Sequence, residues 1–139
     1  MQEWIHKNPT GIVIHSAAVG DYEVIGNNHG KIPSGQTELT LHLRPTPKIL
    51  NHLKSWSADI QIVSFKAAPP STTRTQMIEL VEKQRLISNS NLVFGNVLSQ
   101  INQDICLHSA SETNWYRERT QAIQALIKWI QSRVDEAEK

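Results

Sequence analysis

The chain is 139 residues long, 39% hydrophobic and 19% charged, a make-up that suits one soluble globular domain with a single core. Its 14 basic and 13 acidic side chains leave a formal charge of +1, which excludes the overall field that gathers nucleic acid or an anionic membrane. Met1-Gln2-Glu3-Trp4 lacks a basic, then apolar leader and no apolar run reaches bilayer length, so the cytoplasm is the expected compartment.

Gly11-Ile12-Val13-Ile14-His15 is a β-branched run that reads as a buried strand opening into a tight turn. Its continuation, Ser16-Ala17-Ala18-Val19-Gly20-Asp21-Tyr22, lets a ligand approach the backbone and then offers a carboxylate to hydroxyls or amines. Asp21 as a turn cap is the alternative. In Gly30-Lys31-Ile32-Pro33-Ser34-Gly35 a lysine sits between glycine and proline, where its ammonium could reach a phosphate or simply meet solvent. Thr37 to Leu43 alternates with period two, setting Leu39, Leu41 and Leu43 on one face, and predicts a half-exposed strand on a flap.

A helix is predicted from Thr46 to Trp56, with Thr46 as N-cap and Pro47 at the first helical position. Its free N–H groups would favour an anion. Ile60 to Phe65 reads as a second buried strand, and Ala67 to Thr73 as a loop before a helix from about Thr73 to Ile87. Leu92 to Asn96 is a third strand and Asp104 to His108 a short one near the sheet edge. Arg117 to Val134 carries Ile123, Leu126, Ile127 and Ile130 at helical spacing. Alternating strands and helices imply an α/β fold: a mainly parallel sheet covered on both faces, in three layers. Three parallel strands make a thin sheet, and the first has one side with no evident partner. Single-domain organisation over 1–139 is expected, with the look of half of a larger unit.

Ligands in such sheets bind beyond the carboxyl ends of the strands. Ser64-Phe65-Lys66 and Phe94-Gly95-Asn96 occupy two of those ends, where polar backbone beside an aromatic could frame a base, or the rings could simply pack. The six histidines have no i, i+4 pair and no cysteine cluster, which argues against a protein-built metal site. Cys106, the one cysteine, lies between Ile105 and Leu107 and reads as a buried thiol. The four tryptophans are not interleaved with basic residues and read as packing residues.

In order, Ala17-Ala18-Val19-Gly20-Asp21-Tyr22, Lys31-Ile32, Pro45-Thr46-Pro47-Lys48-Ile49-Leu50, Val63-Ser64-Phe65-Lys66 and Val93-Phe94-Gly95-Asn96 resemble the pattern of the phosphopantothenate–cysteine ligase family. The likeness runs from about Gly11 to the last helix and covers the later part of that family's Rossmann-like domain. It implies an incomplete domain with a β flap. The implied activity is a CTP- or ATP-dependent ligase of coenzyme A biosynthesis. It would activate the 4′-phosphopantothenate carboxylate as an acyl nucleotidate for attack by the amine of cysteine, with Mg2+ carried by the nucleotide and no tightly bound cofactor. The resemblance assigns nucleotide contacts to Ala17, Asp21, Lys31, Pro47, Lys48, Ile49, Leu50, Phe65 and Lys83, a catalytic role to Lys31, and substrate binding to Asn96.

A homodimer, or a second chain carrying the family's glycine-rich opening segment, is the implied partner. Three departures stand out: that segment has no counterpart here, Pro33 stands where many members have a second lysine, and the lysines of the helix after Phe65 reduce to Lys83, with Gln84 and Ser88 near the expected places. These departures also admit a non-catalytic nucleotide-binding or interaction module of the same fold.

Overall fold

The computed structural model describes residues 1–17, 20–26, 35 and 37–137. Two compact units emerge: Met1–Ser16 with Leu50–Lys139, and Ala17–Ile49.

The larger unit is a five-stranded sheet of order β1-β4-β5-β6-β7, built from β1 (Ile12–His15), β4 (Gln61–Ala68), β5 (Leu92–Val97), β6 (Ile105–His108) and β7 (Thr113–Tyr116). β1, β4 and β5 run parallel, while β5–β6 and β6–β7 pair antiparallel. Helices cover both faces, so the layered α/β architecture is as the alternation predicted. On one face lie α1 (Gln2–Lys7), α2 (Leu53–Trp56) and α3 (Arg74–Ser88). Ile5, Val13, Leu53, Ile60 and Ile62 pack together there, and Met77 and Val81 pack with Val93 and Cys106. On the other face α4 (Arg119–Ala137) seals Ala122 and Leu126 against Val63, Leu92, Phe94, Ile105 and Leu107.

Local chemistry fixes the element ends. Thr73 and Gln76 form a reciprocal capping box at the start of α3, and Asn89, at φ 50°, closes it in the left-handed region. Gly95 admits α3 against the sheet: a Cβ there would stand 2.7 Å from both Cys106 Sγ and Val81 Cγ1. β4 extends through Lys66, Ala67 and Ala68, three residues past the predicted end, because β5 continues beside it and pairs with each of them. Phe65 is therefore a mid-strand residue. The edge strand is β7, unpredicted because Thr113-Asn114-Trp115-Tyr116 lacks an apolar run; β6 lies one strand inward. α1 was also unpredicted, and α4 starts two residues later and runs three residues further than its periodicity suggested.

The smaller unit pairs β2 (Tyr22–Val24) with β3 (Leu43–Pro45) antiparallel. The strand expected from Thr37 begins only at Leu43, since β2 offers a ladder three residues long; Leu39 and Leu41 lie outside any strand. The helix expected from Thr46 is replaced by an irregular segment, a 3-10 turn at Ile49–His52, and only then α2. Thr46 precedes Pro47, which disfavours helical backbone at Thr46, and its hydroxyl donates to the Gly20 carbonyl instead of capping. No helix among the described residues is long and apolar enough to cross a membrane.

Candidate functional site

The candidate residues divide between the two units. In the smaller one, the β2–β3 ladder is continued at both ends by Ile25 N–H to the His42 carbonyl at 2.7 Å and Thr46 N–H to the Asp21 carbonyl at 3.0 Å. Directly opposed Glu23 and Arg44 add a 2.7 Å ion pair. Lys48 Nζ donates to Asp21 Oδ1 at 2.7 Å, with both side chains more than 60% exposed. Asp21, Thr46 and Lys48, read from two separate motifs, are thus brought together. Ala17, Pro47 and Ile49 are exposed. Ala18 and Lys31 lie outside the described residues.

In the larger unit Leu50 is half-buried and packs toward Leu53 and Ile62, a core position. The Phe65 ring stacks on Phe94, with centroids 5.1 Å apart, and the Arg119 guanidinium lies 5.3 Å from the Phe94 centroid. Phe65 is one position beyond Ser64, the last residue paired to β1, and Gln84 Nε2 donates to its carbonyl at 3.0 Å. Asn96 is 9% exposed and shares the α4 face of β5 with Phe94. Its side-chain amide has no hydrogen-bond partner among the described residues. The residue is nearly buried as a whole but its amide atoms keep access to solvent, so a planar donor and acceptor near the carboxyl end of β5 is suited to hold a polar ligand group. Lys83 is exposed on α3.

The inward place beside β4 belongs to Gln84, which also donates to Ser64 Oγ at 3.1 Å; Ser90 Oγ donates to the same atom at 2.9 Å and lies 2.6 Å from Ser88 Oγ. This neutral network was invisible in the sequence except as the two places where lysines were expected. A second polar cluster lies on the same face of the sheet and in the same cross-strand row, since His108 pairs with Val93 and Val93 with Ser64. Arg85 grips Glu82 through Nε and Nη2 at 2.6 and 2.8 Å, His108 Nε2 stands 2.7 Å from Glu82 Oε2, and His108 Nδ1 stands 2.7 Å from Thr113 Oγ1. Hydrogen bonds from Arg85 and then His108 hold the Glu82 carboxyl down at about 2. Burial pushes the free Cys106 thiol up to about 11, which makes it inert at neutral pH. Among the described residues no cluster of three His, Cys, Asp or Glu side chains could hold a metal ion.

A family model described as the DNA/pantothenate metabolism flavoprotein C-terminal domain matches residues 1–132. The chain belongs to that family. This is the phosphopantothenate–cysteine ligase family that the ordered motifs resemble. The Coenzyme A biosynthesis bifunctional protein CoaBC of Thermococcus kodakarensis is 37% identical over 87 residues, 63% of this chain and 21% of that protein. The DNA/pantothenate metabolism flavoprotein from Streptococcus pneumoniae superposes with a TM-score of 0.81 at 23% identity, covering 94% of this chain and 66% of that one. A Cab2 histidine-to-alanine mutant in complex with phosphopantothenate-cysteine gives 0.59 at 24% identity, over 72% of this chain and 35% of that one. The two superpositions establish the shared fold. The chain spans about a fifth of the curated relative's length and less than two thirds of either solved chain.

Proposed function

We propose that the chain is the nucleotide-binding half of a phosphopantothenate–cysteine ligase. In this reading it uses CTP or ATP with Mg2+ to activate the phosphopantothenate carboxylate as an acyl nucleotidate, and a second polypeptide segment completes the active unit. The observation that carries the reading is the Asp21–Thr46–Lys48 arrangement, because it joins two of the family's ordered motifs in one small unit. An exposed ion pair contributes little stability, so Lys48 can exchange the Asp21 carboxylate for a phosphate oxygen at little cost. Asp21 would then accept from a ligand hydroxyl or amine, and Lys31 would offset charge developing at the α-phosphate.

The test mixes this chain with the complementary segment, CTP or ATP, Mg2+, 4′-phosphopantothenate and cysteine, and follows pyrophosphate. Release that falls at least tenfold in Lys31→Ala supports the reading. No release with either nucleotide rejects it.

One observation favours a second reading, a binding module without turnover. The inward places on α3 beside β4 are filled by Gln84 and Ser88, neutral and engaged with Ser64 and Ser90, while Lys83 faces solvent. Calorimetric binding of CTP or ATP without pyrophosphate release identifies this case.

A further inference from the structure

His108 and Thr113 face each other across the β6–β7 ladder. Because the Ser109 N–H bonds to the Glu112 carbonyl one step nearer the turn, the alternation of an antiparallel ladder makes His108 and Thr113 a pair without mutual backbone bonds, with Cα atoms about 4.5 Å apart. That closeness brings the Thr113 hydroxyl within 2.7 Å of His108 Nδ1. His108 Nε2 is 2.7 Å from Glu82 Oε2, and Arg85 holds the Glu82 carboxylate through two nitrogens. A hydroxyl, an imidazole and a carboxylate thus stand in one hydrogen-bonded line, the arrangement by which a base is oriented toward a nucleophile.

The hydroxyl end of this line is open to a ligand. His108 is buried, whereas Thr113 is half-buried and lies on β7, which pairs only with β6 among the described residues. In a pair of this kind the backbone N–H points away from the partner strand, so the Thr113 N–H is turned to the free edge. There it can donate to negative charge forming on an acyl group that its own hydroxyl attacks. Apolar surface lies alongside. Trp115 is two residues further along β7 on the same face, and the Arg74 guanidinium stands 4.7 Å from its ring. Arg74, Ile78 and Glu82 follow at intervals of four along α3. Ile78, 38% exposed, therefore sits between the contacts that α3 makes with Trp115 and with His108.

We propose that Thr113, His108 and Glu82 act as nucleophile, general base and positioning residue in the cleavage of esters of short apolar acyl groups. This activity goes beyond the nucleotide-dependent reading and uses none of its residues. In the first half, Thr113 Oγ adds to the ester carbonyl carbon while its proton passes to His108 Nδ1. The carbon–oxygen bond to the leaving group then breaks, and the departing alcohol takes the proton from Nδ1. Water repeats the sequence on the acyl-threonine: its proton goes to Nδ1, the bond to Thr113 Oγ breaks, Thr113 recovers the proton and a carboxylic acid leaves. Glu82 keeps Nε2 protonated, so in the neutral imidazole the Nδ1 lone pair is directed at the hydroxyl. Ile78 and Trp115 offer the acyl chain a small apolar surface, which sets its length and character.

The experiment gives the full chain p-nitrophenyl butyrate, with no nucleotide and no second polypeptide. It follows p-nitrophenol release and, by peptide mass spectrometry, the position of any butyryl group. Release above the buffer rate is expected, with the butyryl group on Thr113. Thr113→Ser should keep both, Thr113→Val should abolish both, and His108→Gln should slow release about a hundredfold or more. Glu82→Leu should lower kcat about tenfold or more with KM unchanged, whereas Ile78→Ser should raise KM about threefold or more and spare kcat. Urea unfolding establishes which variants stay folded, and Thr113→Ser with the wild-type peptide map decides the case if Thr113→Val does not. No release above buffer, butyryl groups confined to lysines or to other hydroxyls, or an unchanged rate in folded Thr113→Val or His108→Gln overturns the proposal.

Discussion

Two residues, Glu82 and Gly95, show how much of this chain's behaviour is set by single contacts. An ionised Glu82 can only accept, so His108 Nε2 must carry a proton toward it, while Nδ1 faces the Thr113 hydroxyl, which can donate or accept. Nitrogen NMR should find Nε2 protonated in the native chain, and Glu82→Leu, not Thr113→Val, should allow the other tautomer. Because the folded carboxyl titrates at about 2, below its ordinary value of 4.5, its stabilisation is fully present above that ordinary value and is lost as pH falls toward 2. Glu82→Gln should therefore lower stability at pH 7 by about 1 kcal/mol, screened as the pair is at a part-exposed side chain, and the gap from wild type should close in urea titrations repeated near pH 2. Gly95 has a different physics. A methyl group there meets Cys106 Sγ and Val81 Cγ1 at 2.7 Å, so Gly95→Ala should cost about 1 to 3 kcal/mol by overpacking. Val81→Ala in the same chain should recover part of that loss, which a double-mutant cycle by urea unfolding would show.

At the scale of elements, legibility followed the strength of the local signal. The start of α3 near Thr73 and the apolar runs of β1, β4 and β5 were plain in the sequence, since loop punctuation and buried strands are written in neighbouring residues; the Thr73–Gln76 box became visible only in the structure. Thr73→Ala should lower stability by about 1 kcal/mol, which thermal unfolding would register. The β2–β3 pairing was not legible: the alternating leucines before Leu43 promise a longer strand, but its length depends on the three residues Tyr22–Val24 far earlier in the chain. The same holds for the candidate site. Asp21, Lys48 and Phe65 announced themselves by motif, whereas the meeting of Asp21 with Lys48 and the closure of Ser64, Gln84, Ser88 and Ser90 into one network depend on tertiary contacts that no spacing encodes. Asn96 was readable as a polar residue at a strand end, but its lack of a side-chain partner was not.

The whole molecule joins two units of very different cohesion. The larger unit buries Phe94, Ile62, Val63 and Cys106 completely, while the smaller leaves Tyr22, Val24, Leu39, Leu41 and Leu43 between 47% and 63% exposed. With so little apolar area removed from water, the smaller unit depends on its short ladder and on the Thr46, Lys48 and Arg44 side-chain bonds. Local opening there should precede global unfolding, and the two should be separable. Thr46→Val removes the hydroxyl bond to Gly20 while keeping side-chain volume. It should speed amide exchange at Ile25 and Thr46 at least fivefold, yet leave the urea midpoint followed by tryptophan fluorescence unchanged, since all four tryptophans lie in the larger unit. Cys106 supplies an independent clock. Its buried thiol should react with a disulfide reagent only as fast as the larger unit opens, so its rate should be the same in wild type and in Thr46→Val. A Cys106 rate that rises in step with exchange at Ile25 would show instead that the two units open together.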